Sequence, residues 1–205
     1  MLTNLENLRQ YLSIPDAFTK DDDLLLQIVK SVSLRINQRL NRNLEAQDYQ
    51  SGKAEYQKGD GSNRLLLYQY PVNAVFSIYD DVDRQFPPAT LEDATSIIES
   101  WETPGLIQLK GNIFINSAWW SYYNLENLMV NYNAGYVEPW NNNLTGNPNG
   151  YTNILPDDVI MAANKLCSVE YMKSKGMMAK IESDRDPKAL ADEAWEDLAP
   201  YRKIR

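Results

Sequence analysis

Carboxylates are the side chains best supplied for chemistry, and three groupings are dense enough to suggest a cation site. They are Asp21-Asp22-Asp23, Asp60 with Ser62 and Asn63, and Asp80-Asp81 with Asp83. Each has a plainer reading. Successive residues on a helix point in different directions, and acids in a first turn are favoured by the helix dipole, so the first group reads as capping and solvation. Asp60 to Asn63 matches fragments of a calcium loop but lacks the other ligands and a closing glutamate, which leaves a turn. The third group marks a strand end and reads as a solvated turn. No spacing singles out a glycosidase-like carboxylate pair. Among 205 residues there is no His and only one Cys, Cys167. That removes Ser-His and Cys-His nucleophiles, imidazole metal sites, thiolate clusters and any internal disulfide. Cys167 falls among apolar residues of a predicted helix, where a thiol is buried and inert. The expectation is therefore no enzyme, no cofactor and no metal.

One aromatic group also has chemical character: Trp119, Trp120, Tyr122 and Tyr123. It reads either as a strand whose rings fill a core and cover an edge, or as a contact surface, since Trp and Tyr concentrate at interfaces. A sugar-stacking platform is the third reading. It makes a carbohydrate- or cell-surface-binding module the alternative function.

The elements that position these groups follow from period and punctuation. Thr3 is placed to cap a short helix carrying Leu5, Leu8, Tyr11 and Leu12, which Pro15 ends. Thr19 is placed to cap a longer one, with Leu25, Ile28, Val29, Val32, Ile36 and Leu40 on one face and Arg35, Arg39 and Arg42 toward its end. Period two then takes over. Strands are expected at Ala54 to Lys58, Arg64 to Tyr68, from Pro71 through Tyr79, Ile97 to Trp101, Leu106 to Leu109, Ile113 to Ile115 and around Leu128, Val130 and Tyr132. Gly59 to Asn63 between the first two is a hairpin loop signal.

Helical spacing returns after Pro156, with Asp157 and Asp158 in the first turn, and Val159, Ala163, Leu166, Cys167 and Tyr171 as the buried face. Lys173, Lys175 and Gly176 form its stop signal. Met177 to Arg185 reads as a mobile linker. Asp186-Pro187 starts a last helix with Leu190, Ala194, Leu198 and Tyr201 on one face, broken near Pro200. So short an amphipathic helix is unstable alone. It must dock on its own domain or on a neighbour, and the reading favours a neighbour.

This gives an α+β fold: a helical frame of N-terminal and C-terminal helices holding a large antiparallel β insert. The parts are frame helices at 1–50, the β-rich insert at 51–137, an Asn/Gly/Pro-rich loop at 138–153, a frame helix at 154–176, and a linker with an amphipathic tail at 177–205. A formal net charge of −8 argues against a general grip on nucleic acid but leaves room for DNA to pass without being held. No apolar run approaches ~20 residues, so no membrane partner is expected. A polar start from Thr3 onward shows no signal peptide, so a cytosol-like compartment is expected. Asn143-Leu144-Thr145 fits a glycosylation sequon, which in that setting is simply part of a polar loop.

Five short passages occur in an order that resembles the head–tail connector, or adaptor, proteins of tailed bacteriophages. They are Leu5 to Leu12 followed by Asp21-Asp22-Asp23-Leu24-Leu25; Gly59-Asp60-Gly61-Ser62 with Tyr70-Pro71-Val72; Val130 to Tyr136; Leu155-Pro156-Asp157-Asp158-Val159 with Ala162 and Ala163; and Leu198-Ala199-Pro200-Tyr201-Arg202. The resemblance covers roughly residues 1–80 and 126–205, and the middle is larger than the family's usual insert. It implies a virion protein, assembled in the host cytoplasm, that forms a ring with itself, usually a dodecamer, below the portal. Such a ring extends the DNA channel and docks a stopper, neck or tail-completion protein. It also implies a portal contact made by the tail, with Leu190, Ala194, Trp195, Leu198, Tyr201 and Arg202 as interface residues. Trp119, Trp120, Tyr122 and Tyr123 form a further candidate interface.

Overall fold

The computed structural model describes residues 1–50, 52–81, 90–92, 97–99, 105–109, 114, 126–140, 153–176 and 186–203. The fold is α+β, and it divides into two compact units. One comprises Met1–Glu45, Glu138–Asn142 and Ile154–Arg205, and the other Ala46–Val137 and Asn143–Asn153.

Four α-helices build the first unit: α1 (Leu5–Tyr11), α2 (Asp22–Leu40), α3 (Asp157–Ser174) and α4 (Pro187–Asp197), followed by a 3₁₀ turn at Ala199–Tyr201. Asn4, not Thr3, caps α1, its side chain accepting the Asn7 amide at 2.7 Å. Thr3 is fully buried and donates to Asn164 Oδ1 instead. The period-3.6 face of α2 is buried as expected, from Leu25 through Leu40. It stops at Asn41, whose φ of +55° gives the left-handed cap that asparagine tolerates. The N-terminal boundary residue of α2 is Asp21 rather than Thr19, and its carboxylate faces another helix instead of capping its own. α3 is the central helix, packed by α1, α2 and α4. Its buried surface therefore extends beyond one stripe, to Ile160, Ala162, Asn164, Ser168 and Val169.

The second unit holds eight strands among the described residues. They are β1 (Gln47–Tyr49), β2 (Glu55–Gln57), β3 (Arg64–Leu66), β4 (Val72–Asp80), β5 (Thr90–Glu92), β6 (Ile97–Glu99), β7 (Leu106–Leu109) and β8 (Leu128–Ala134). Two antiparallel sheets result. In the larger, β8 lies between β4 on one edge and β1 and β2 in line on the other, with β5 beyond β4. The smaller runs β3-β7-β6. Their shared core joins Leu65, Ile107 and Leu109 of the small sheet, and Leu67 just past β3, to Ile78, Leu128, Val130 and Tyr132 of the large one.

The expected hairpin between the first two strands is not formed. The turn chemistry is present, with Asp60 accepting the Ser62 amide and Gly61 at φ +83°. Yet β2 pairs with β8 while β3 pairs with β7, so the turn passes between sheets. Side chains replace the missing ladder. Glu55 accepts the Tyr68 amide, and Gln57 Nε2 donates to the Leu66 carbonyl at 2.7 Å. β1 and β5 are strands that the sequence reading did not contain. The strand expected at Ile113 to Ile115 lies outside the described residues except for Phe114, which is buried.

Candidate interaction surface

The tail is built from its cap upward. Asp186 accepts the Lys188 amide at 2.9 Å and Pro187 occupies the first helical position, so α4 starts where the sequence indicated. Leu190, Ala194 and Leu198 recur every four residues and are all buried in the frame, α4 packing on α3. The reading that favoured a neighbour differs here: the tail sits on its own chain. Five polar contacts line the same seat. Lys165 of α3 reaches Glu193 and Asp197, both at 2.7 Å, bridging two acids one turn apart. The Arg39 guanidinium of α2 lies 4.0 Å from the centre of the Trp195 ring. Tyr201 donates its hydroxyl to the Asp158 carboxylate at 2.8 Å. The Lys203 amide donates to the Leu40 carbonyl at 3.0 Å.

Electrostatics in this seat follow from those partners. Burial alone would push the Lys165 ammonium down, but the bonds to Asp197 and Glu193 outweigh it and hold the group above its ordinary value. Of the six tail residues named from sequence, Leu190, Ala194 and Leu198 are consumed by the seat. Trp195 and Tyr201 are half-buried against it, and Arg202 is exposed. Lys165 is not named from the sequence, and Arg39 and Asp158 are read there only as charges suited to helix ends, not as parts of a seat. Their signal was faint: a lysine inside an otherwise apolar helix face, and an arginine one turn from another on α2.

Other candidates resolve as structure. Asp21 anchors the C-terminal end of α3, accepting from Lys175 at 2.6 Å and from the Tyr171 hydroxyl at 2.7 Å. Those bonds, the Lys175 one foremost, hold the Asp21 carboxyl below its ordinary value. Burial and the Asp21 carboxylate push Tyr171 up to about 12. Asp22 pairs with Arg9. Cys167 is fully buried, and burial pushes its thiol up to about 12, far from the thiolate that reactivity needs. An open groove of about 520 Å³ in the helical unit is lined by Asn7, Gln10, Tyr11, Pro139, Asp157, Ile160, Met161 and Asn164, with one acid and no carboxylate pair. Among the described residues no cluster of His, Cys, Asp and Glu is arranged to hold a metal. No described helix is long and apolar enough to cross a membrane. Trp119, Trp120, Tyr122 and Tyr123, and the linker expected at Met177 to Arg185, lie outside the described residues.

In the sheet unit the acids are also structural. Glu55 is buried and accepts from the Tyr132 hydroxyl, the Tyr68 amide and Gln57 Nε2. Burial first, and the Glu55 charge second, raise the Tyr132 phenol well above its ordinary value. The Tyr132 ring stacks on Tyr49 with centroids 4.8 Å apart. Asp80 accepts from Asn127, whose own oxygen accepts the Gly59 amide.

Neither a protein-family model nor a curated protein sequence matches this chain. Solved structures do. The chain is similar to one in the neck of an empty gene transfer agent (GTA) particle, computed with C6 symmetry. That match has 14% identity and a TM-score of 0.51, covering 100% of this chain and 91% of that one. It is also similar to a chain in the virion of the native GTA particle, with 13% identity, a TM-score of 0.52 and the same coverage. At such identities the likeness is one of fold, and it runs the full length of the chain.

Proposed function

We propose that this chain is a structural component of a phage-like particle, a head–tail connector that closes a ring with its own copies below the portal. The observation that carries the reading is the end-to-end fold likeness to chains of a GTA neck and virion, both assembled particles. The ordered passages from Leu5 to Arg202 that resemble the connector family support the finer role. A sixfold neck is compatible with twelve copies, the usual number for that family.

The function is geometric and non-enzymatic. Copies in a ring meet through two different faces of each subunit, a heterologous contact that closes by rotation. The pore continues the channel for DNA, and a net charge of −8 suits a conduit that repels phosphate more than one that holds it. The tail supplies the portal contact, with Leu190, Ala194 and Leu198 holding it in place and Trp195, Tyr201 and Arg202 touching the portal. The far rim docks a stopper, neck or tail-completion protein, and the protein resides at the head–tail interface after assembly in the host cytoplasm. The test is to mix the purified chain with the portal of the same particle and image the complexes. An added ring of density coaxial with the portal is expected; portals that remain bare at saturating chain concentration overturn the proposal.

A further inference from the structure

We infer that the seat holding α4 is also an interface between copies, and that its occupant in an assembled ring is α4 of a neighbouring copy. Little holds the helix by itself. An eleven-residue helix is marginal in water, so its order comes from docking. What it docks on lies wholly outside the tail: Lys165 and Asp158 of α3, and Arg39 and Leu40 of α2. Seat and tail are therefore two complementary pieces of one chain, and every further copy carries both.

The number of residues between seat and tail is enough for exchange. Residues 177–185, nine in number, separate Gly176 from Asp186. Antiparallel helices need only about 2–5 residues between them, whereas a tether of this length reaches on the order of 30 Å when extended. Exchange of an identical element between copies needs no new complementarity, because each contact is already made within one chain. It also gives each subunit a donated face and a receiving face, and that is what a closed ring requires. A tethered tail competes for its own seat at an effective concentration in the millimolar range. A separate chain therefore keeps its tail at home, and trading begins where copies are gathered. The ring itself rests on the reading proposed above; the fit of tail to seat does not.

The ion pairs at Lys165 supply a direct test. Unlabelled and nitrogen-15-labelled full-length chains are mixed in equal amounts and assembled, on portals or by concentration alone. They are then treated with a zero-length carbodiimide that joins the Lys165 ammonium to the Glu193 or Asp197 carboxylate as an amide. Random exchange makes about half of the linked peptide pairs isotopic hybrids in assembled material, while the monomer fraction yields almost none. Rings whose linked pairs are all isotopically pure sink the exchange and leave the ring standing. Bare portals, with hybrids in oligomers of the concentrated chain, sink the ring and leave the exchange standing.

A second experiment uses K165E and the E193K/D197K double variant, each with like charges facing across its own seat. Mixed together they pair only in trans, and the mixture is expected to assemble at roughly tenfold lower concentration than either alone, equivalent to ~1.4 kcal/mol. The triple variant, which restores the pair within one chain, reports on folding and assembly of the reversed seat. A mixture that assembles no better than its separate components overturns the inference.

Discussion

The tail seat of the helical unit and the core of the sheet unit spend their polar groups in opposite ways. In the helical unit the tail is tied by ion pairs near the surface, with Glu193 60% exposed at its side chain and Lys165 13%. In the sheet unit the comparable ties are buried: Glu55 is 5% exposed, Asp80 3% and Asn127 2%. Charges near water are screened and contribute little, while a satisfied buried network leaves unsatisfied groups behind when one member is lost. The lesson is that loosening the tail costs little, whereas loosening the sheet unit's network costs a great deal.

Four substitutions and one salt condition sharpen or break that contrast. Glu55→Ala deprives the Tyr132 hydroxyl and the Tyr68 amide of their acceptor, and two such groups at about 2 kcal/mol each give a loss of roughly 4 kcal/mol in urea unfolding. Leu25→Ala, a cavity at a fully buried position of α2, is expected to cost about 3 kcal/mol by the same measurement. If Glu55→Ala costs less than Leu25→Ala, the sheet unit is not held by its polar network and the contrast fails. Lys165→Ala removes both tail ion pairs for only about 1 kcal/mol, given the exposure of the acids. Its signature is local: faster amide exchange in residues 186–203 with α2 protection unchanged, reproduced in the unmodified chain by high salt.

The smallest effect is on acid stability. The Asp21 carboxyl titrates below 3.8 in the folded chain, so its contribution is present above that value and is lost as pH falls through the lower, folded one. Asp21→Asn should therefore flatten the stability profile below about pH 4. Identical acid limbs in the two proteins count against the Lys175–Asp21 tie.

Legibility divides along the same line as the polar groups. The helices were readable because their determinants are local. The α2 face from Leu25 to Leu40 and the Asp186-Pro187 start of α4 need only neighbours within a few residues. Caps were less readable, since Thr3 and Asn4 are both good cap residues and only the distant Asn164 decides between them. Strand positions such as Leu106–Leu109 were legible, but partners were not. Nothing near Gly59 to Asn63 says that β2 will pair with β8, some seventy residues on. In the tail, the periodicity of Leu190, Ala194 and Leu198 announced a buried face without saying whose surface would bury it. That needed Lys165 and Arg39 in three dimensions.

The outer rim of β3 has one more consequence. Gln57 occupies the Leu66 carbonyl, Glu55 the Tyr68 amide, and the Ser62 hydroxyl both the amide and the carbonyl of Arg64. A foreign strand laid along this margin finds those groups already engaged, so runaway cross-β growth has no template there. Where copies of the chain are concentrated, that insulation keeps this margin from seeding fibre.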